Sequence, residues 1–336
     1  MTAVIKKYYR SLEPLIKAVD LPRPVDWPTI FGRTAPLELE IGFGNGEFTH
    51  RTSLASPERD YVGVEVAWAS IKRALRRLAD PPRANVRVML MKAEVALERC
   101  FAPESLDVVR SLFPIPWPDE RQEKKRLFQR DFLNLAANRL KNDGTFILVT
   151  DSPLLAEWTM EQAGGSALEF EFEERPAEMD TKYERKWHGG GRRNFYHLTG
   201  RKAPEGPYSV EAAAMFKRLG RVSAESIPRP IASPQISAPL EIEMQAYYCD
   251  GFNPDDYHPQ GCVGDIIVKF KEFMFDRDKN QGMVRAMVLE GPLTQEFFIR
   301  IIREGDRWKL SPAIASQLFP TQGVARALEL AAAPRL

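Results

Sequence analysis

Glu40, Gly42, Gly44, Gly46 and Glu65 have the types and spacing of a ligand site. Glycines admit positive φ and let a bound molecule approach the main chain with no Cβ in the way. A glycine loop between a strand and a helix is where open α/β sheets bind nucleotides, outside the carboxyl ends of their strands. A dinucleotide fingerprint places a third small residue in the spacing G-x-G-x-x-G/A. Glu47 takes that place here, and a carboxylate at a helix start repels a pyrophosphate. S-adenosylmethionine carries a sulfonium and an ammonium and no phosphate, so acidic surroundings suit it better. Glu65 stands about 20 residues after the loop, where such units use an acidic residue to accept from ribose hydroxyls. A plain glycine turn has the same pattern, so the loop by itself leaves the ligand open.

A second set of residues could bind RNA. Residues 113–118 read Phe-Pro-Ile-Pro-Trp-Pro, which can be neither helix nor central strand and predicts a stiff wall. Arg121, Lys124, Lys125, Arg126 and Arg130 follow, on an expected helix start. An aromatic loop opening into cations offers a stacking surface beside a phosphate-binding face. Asp151 ends a later apolar run, and Thr-Lys-Tyr-Glu-Arg-Lys (181–186) opens a charged loop rich in glycine. Lys72, Arg73, Arg76 and Arg77 give one helix a basic face, which equally describes a solvated surface.

The elements that must position these residues follow from periodicity. A Pro-rich arm (1–36) leads into a buried strand at 37–41, and a helix follows over 46–54. Strands are expected at 61–66, 85–90, 105–112, 145–150, 167–174 and 194–198, with helices at 69–79 and 154–162. Asn142-Asp143-Gly144 is expected as a turn, and Lys92 and Ala93 fall where an adenine would lie. Residues 205–239 have the composition of a helix and a Pro-rich linker. From 240 to 336 the period shifts to two, and strands at 240–248, 265–275, 283–290, 296–303 and 308–311 with a closing helix at 323–333 predict a small β-rich α+β domain.

Composition bounds the class. With 44% apolar and 28% charged residues and a net charge of +1, the chain has no global basic field, so nucleic-acid contact must come from local clusters. Three widely spaced cysteines fit neither a disulfide framework nor a zinc site, and His258 near Asp255, Asp256 and Cys262 has no familiar metal spacing. No long apolar stretch suggests a membrane span or a secretion signal, so a cytoplasmic protein is expected.

Taken together, EIGFGNGEF (40–48), GVEV (63–66), NVRVM (85–89), FPIPWP with KKRL (113–127), GTFILVTD (144–151) and TKYERK (181–186) resemble the TrmB-type tRNA (guanine-N7)-methyltransferase family. The resemblance covers about residues 37–202, with the remainder a long C-terminal extension. It implies an α/β, class I S-adenosylmethionine-dependent methyltransferase fold: a Rossmann-like, seven-stranded, mostly parallel sheet with helices on both faces. It implies a methyltransferase domain at 37–204 acting on tRNA; the domain at 240–336 rests on its own period of two, and monomer and homodimer both stay open. Cofactor contacts would fall on Glu40, Gly42, Gly44, Asn45, Gly46, Glu65, Lys92, Ala93 and Ile115. Substrate contacts would fall on Asp119, Lys124, Arg126, Asp151, Thr181, Lys182, Tyr183 and Glu184, with Asp151 and Glu184 as the catalytic carboxylates. The family's loop carries Asp where this chain has Ile115, an acidic residue where it has Lys92, and a basic residue where it has Asp119. Those departures keep open a weakly active or non-catalytic RNA-binding protein on the same fold, and a methyltransferase with another substrate.

Overall fold

The computed structural model describes residues 11–176, 178–181, 184–186, 194–203, 245–291, 293–313 and 318–333. The chain divides into two compact units, Met1–Gln235 and Ile236–Leu336. The division falls in the stretch 205–239, which lies outside the described residues.

In the first unit, strands β1 (Leu37–Ile41), β2 (Asp60–Glu65), β3 (Val86–Leu90), β4 (Leu106–Leu112), β5 (Leu140–Thr150), β6 (Leu168–Pro176) and β7 (Asn194–Lys202) make one sheet in the order β3-β2-β1-β4-β5-β7-β6. The first five are parallel to one another, and β7 runs antiparallel between β5 and β6. Helices α1 (Trp27–Phe31), α2 (Glu47–Ala55), α3 (Trp68–Leu78), α4 (Ala93–Cys100), α5 (Arg130–Arg139) and α6 (Pro153–Ala163) alternate with the strands. This is the class I methyltransferase fold. After β1 the chain builds outward through β2 and β3, then returns to place β4 on the other side of β1. The carboxyl ends of β1 and β4 therefore flank a topological switch point, the crevice where such sheets bind ligands.

All five residues of β1 are buried, so the alternation of apolar and acidic residues does not mark a wet face. Glu38 is held there by Arg59 at 2.8 Å and Arg110 at 2.7 Å. A buried carboxylate is tolerated only with partners of this kind. Phe43 lies against Gly63 so closely that a Cβ on that glycine would come 2.5 Å from the ring. That contact seats the glycine loop on β2.

Three local expectations change. The Pro-rich arm is not free: Ile16 donates to the Val88 carbonyl and Val88 to that of Pro14, covering the β3 edge. Residues 142–144 are not a turn outside the strand; β5 starts at Leu140, and its extra residues are accommodated by a register shift opposite Leu106 and Val108. The basic residues after the proline loop do not start an α-helix. They form a 3-10 turn, Glu120–Lys125, capped by the Asp119 side chain, and α5 begins only at Arg130.

The second unit is an antiparallel sheet in the order β8-β12-β11-β10-β9, from β8 (Tyr247–Cys249), β9 (Ile266–Asp276), β10 (Gln281–Glu290), β11 (Leu293–Glu304) and β12 (Arg307–Pro312). Helix α7 (Gln322–Ala332) packs Val324, Ala327, Leu328 and Ala331 onto one sheet face, with Val284, Val288, Ile299 and Leu310. The strand expected at 240–248 is seen only as Tyr247–Cys249, since 240–244 lie outside the described residues.

Candidate active site

A cavity of about 240 Å3 opens between the ends of β1 and β4. Glu40, Gly42, Gly44 and Asn45 line it from the β1 side, Phe113 from the β4 side, and Thr181 from the loop between β6 and β7. Gly42, Gly44 and Gly46 all have positive φ, at 68°, 58° and 70°. Any side chain there would be strained. Gly46 is also closed sterically: a Cβ would stand 2.9 Å from that of Ala74 on α3.

Glu40 and Glu47 line the cavity and Glu65 stands behind the glycine loop without lining it, and the three are held differently. Glu40 is 7% exposed, and the Thr49 hydroxyl donates to its Oε2. Burial pushes its carboxyl above the usual carboxylate range, with Thr49 and Arg110 pulling the other way. Glu47 gives Oε1 to Arg185 at 2.6 Å, while its buried Oε2 has no hydrogen-bond partner among the described residues. Glu65 accepts from the Gly44 amide at 3.1 Å and from those of Val66 and Ala67 at 2.8 and 3.0 Å. It thus fastens the glycine loop to the start of α3. A desolvated carboxylate and an orphaned carboxylate oxygen suit a ligand that brings positive charge and N–H donors. The methionine end of S-adenosylmethionine has both, so these residues fit it.

Thr181 is fixed by a neighbour. Glu184 is 1% exposed, and its carboxylate accepts from the backbone amides of Glu178 (3.1 Å), Met179 (3.0 Å) and Thr181 (2.8 Å). The Glu184 amide in turn donates to Thr181 Oγ1 at 3.2 Å. This is a capping box. Two arginines clasp the same loop to α2. Arg51 donates to the carbonyls of Met179 and Asp180, and Arg185 joins Asp180 at 2.8 Å to Glu47 at 2.6 Å. Ion pairing with Arg185 holds the Asp180 carboxyl below the usual range.

The proline loop forms the other wall. Phe113 and Trp117 take positive φ, 54° and 45°. Such values are uncommon for bulky residues and mark a segment whose surroundings dictate its conformation. Phe113 packs edge-on against Phe195 at 5.3 Å. Arg126 is buried at 5% exposure, donates to the Trp117 carbonyl at 3.2 Å and lies 5.3 Å from the Trp158 ring.

Several expected residues stand elsewhere. Arg126 braces the proline loop from inside and does not present its charge to a phosphate; Lys124 and Lys125 are exposed, with Lys125 over Trp117 at 4.7 Å. Ile115 is 66% exposed and Lys92 is an exposed helix cap, with Ala93 buried behind it; none of the three lines the cavity. Asp119 is held by Arg121 at 2.8 and 3.1 Å, which keeps its carboxyl below the usual range. Glu184 does not line the cavity, since its oxygens face backbone amides. Asp151 is half-buried at the end of β5, beside the β4 end where the Phe113 amide donates to the Val149 carbonyl at 2.7 Å, and it does not line the cavity. Lys182 and Tyr183 lie outside the described residues.

The wall expected at residues 113–118 is met by Phe113, while sequence reasoning missed the cavity role of Phe48 and Arg73 and the clasp of Arg51 and Arg185. The Thr181-x-x-Glu184 spacing is the capping-box pattern and could have revealed the positioning role of Glu184. Nothing local marks Arg51, whose partners are far away in sequence.

Residues 34–197 match a family model described as "Putative methyltransferase". The chain is 35% identical to the tRNA (guanine-N(7)-)-methyltransferase of Thermotoga maritima over 57% of this chain and 62% of that protein. It is 38% identical to the protein of that name from Thermus thermophilus over 54% and 60%. It is 38% identical to the one from Pseudomonas syringae over 48% and 70%. The chain thus spans about three fifths of the length of the first two relatives.

Proposed function

Because the chain belongs to the tRNA (guanine-N7)-methyltransferase family, we propose that it transfers a methyl group from S-adenosylmethionine to N7 of a guanine in the variable loop of tRNA. The observation that carries this reading is the cavity itself. A buried carboxylate, a half-buried one and a backbone cradle stand on one side, and an aromatic wall and a fixed threonine on the other, at the switch point of the sheet.

Bound S-adenosylmethionine supplies an electrophilic methyl on sulfur. Glu40 and Glu47 hold negative potential beside the positive groups of its methionine end, and the three glycines let that end lie against the main chain. Glu65, already turned toward the loop, accepts from ribose hydroxyls. Guanine N7 offers a lone pair and no proton, so the site needs no strong general base. It needs an in-line approach, which fixed walls provide, and negative potential where the purine becomes cationic. Asp151 faces the guanine edge and accepts from N1–H and the exocyclic amine. Thr181 contacts the base or its ribose, and Glu184 contributes by holding Thr181 in place. Lys124 and Lys125 meet phosphates.

One observation favours a second reading, a slow or non-catalytic RNA-binding protein. The proline loop has Ile115, outside the cavity lining, where the family has a carboxylate, and Asp119 is held by Arg121. Transfer of a labelled methyl group to tRNA transcripts separates the two. Cofactor binding without transfer to any transcript overturns the enzyme reading.

A further inference from the structure

The chemistry above leaves the basic face of α3 unused. The helix buries Ser70, Ile71, Ala74, Leu75 and Leu78. Arg73 and Arg76 are exposed on its other side, flanked by half-buried Lys72 and Arg77. From Val66 to Ala79 the chain has these four cations and no carboxylate. Positions four apart are neighbours on a helix, so Lys72 stands beside Arg76, and Arg73 beside Arg77, with like charges adjacent. Arg76 and Arg77 lie in the last turn, where the helix dipole favours cations. Lys72 and Arg73 lie before it and receive no such benefit, so folding does not account for the whole ridge.

The ridge is continuous with the cavity. Ser70 and Arg73 line it, and Arg73 donates to the Ser70 hydroxyl at 3.2 Å. Gly46 is packed against Ala74 without room for a Cβ, which fixes α3 relative to the glycine loop. Lys124 and Lys125 follow the Phe113 wall on the opposite side of the switch point. A polyanion whose base enters the cavity would pass its backbone over both flanks.

We propose that Lys72, Arg73, Arg76 and Arg77 form a phosphate-docking ridge that holds the RNA backbone on the α3 side of the cavity. This deepens the tRNA reading and rests on it. The test uses the full chain and a tRNA transcript, with binding measured across a range of salt concentrations. The double variant Lys72→Gln/Arg76→Gln keeps good helix formers at both positions. It should bind tRNA about tenfold more weakly at low salt. The slope of log affinity against log salt should fall by about 0.7–0.9 for each phosphate that is no longer neutralised. Affinity for S-adenosylmethionine should stay unchanged. In the wild-type protein, tRNA should also slow chemical acetylation of Lys72. Unchanged affinity, slope and acetylation in a protein that binds tRNA overturn the ridge alone. A wild-type protein that binds no tRNA at any salt overturns the parent reading instead.

Discussion

Glu184 offers the sharpest test of how the site is built. Its carboxylate accepts three backbone amides, two on Oε1 and one on Oε2, in a region almost closed to solvent. Hydrogen bonds to a charged group are worth about 1.5–3 kcal/mol each. Glu184→Gln keeps one carbonyl oxygen, which can serve Glu178 and Met179, but turns an N–H2 group toward the Thr181 amide. The loss is about one such bond, equivalent to roughly tenfold to a hundredfold. Glu184→Ala removes all three, so at least about 4.5 kcal/mol and roughly a thousandfold or more are at stake. Methyl transfer to tRNA should fall in that order, with Ala well below Gln. Amide exchange at Glu178, Met179 and Thr181 should accelerate in the same order, because the loop opens. Equal losses in both variants, with exchange at those amides unchanged, would refute the reasoning: the carboxylate would then act on substrate and not on the loop.

Three further outcomes follow from the same structure. Glu40→Gln should weaken S-adenosylmethionine binding in calorimetry while raising the thermal stability of the free protein near neutral pH. The Glu40 carboxyl is raised by burial, so its protonated form favours folding below the ordinary glutamate range and that stability is lost as pH rises through the raised value; the gain from Gln should therefore vanish in acid. Ile115→Asp, at an exposed position, should change stability by no more than about 0.5 kcal/mol and should increase the methyl-transfer rate, measured in single turnover. Arg126→Ala should cost about 2–3 kcal/mol in denaturant unfolding, whereas Lys124→Ala/Lys125→Ala should weaken tRNA binding with no change in the unfolding midpoint.

The order of strands and helices was legible because it rests on local periodicity and on glycine chemistry. Leu37, Leu39 and Ile41 announce β1, and Gly42, Gly44 and Gly46 announce the turn that follows. Burial of Glu38 was not legible, since Arg59 and Arg110, which make it tolerable, come from other elements. The same holds for Arg126. Within a run of cations it looked like surface, and only the fold brings Trp158 and the Trp117 carbonyl to it. The β1 side of the cavity, formed by Glu40, Gly42, Gly44 and Asn45, was readable from spacing along one strand–loop–helix unit, whereas Lys92, Ala93 and Ile115 fall outside it. Thr181 on the far side was named only through the family resemblance, because its loop reaches the cavity through contacts with α2 that no local pattern encodes.

Transfer to guanine N7 of tRNA is tested by a substrate altered at that one atom. Purified protein is incubated with labelled S-adenosylmethionine and two tRNA transcripts that differ only in a 7-deazaguanine at the acceptor position. Transfer to N7 puts label in the guanine transcript and none in the deaza transcript, which lacks the N7 lone pair. Equal labelling of both, or of neither while the protein binds cofactor and tRNA, would contradict it.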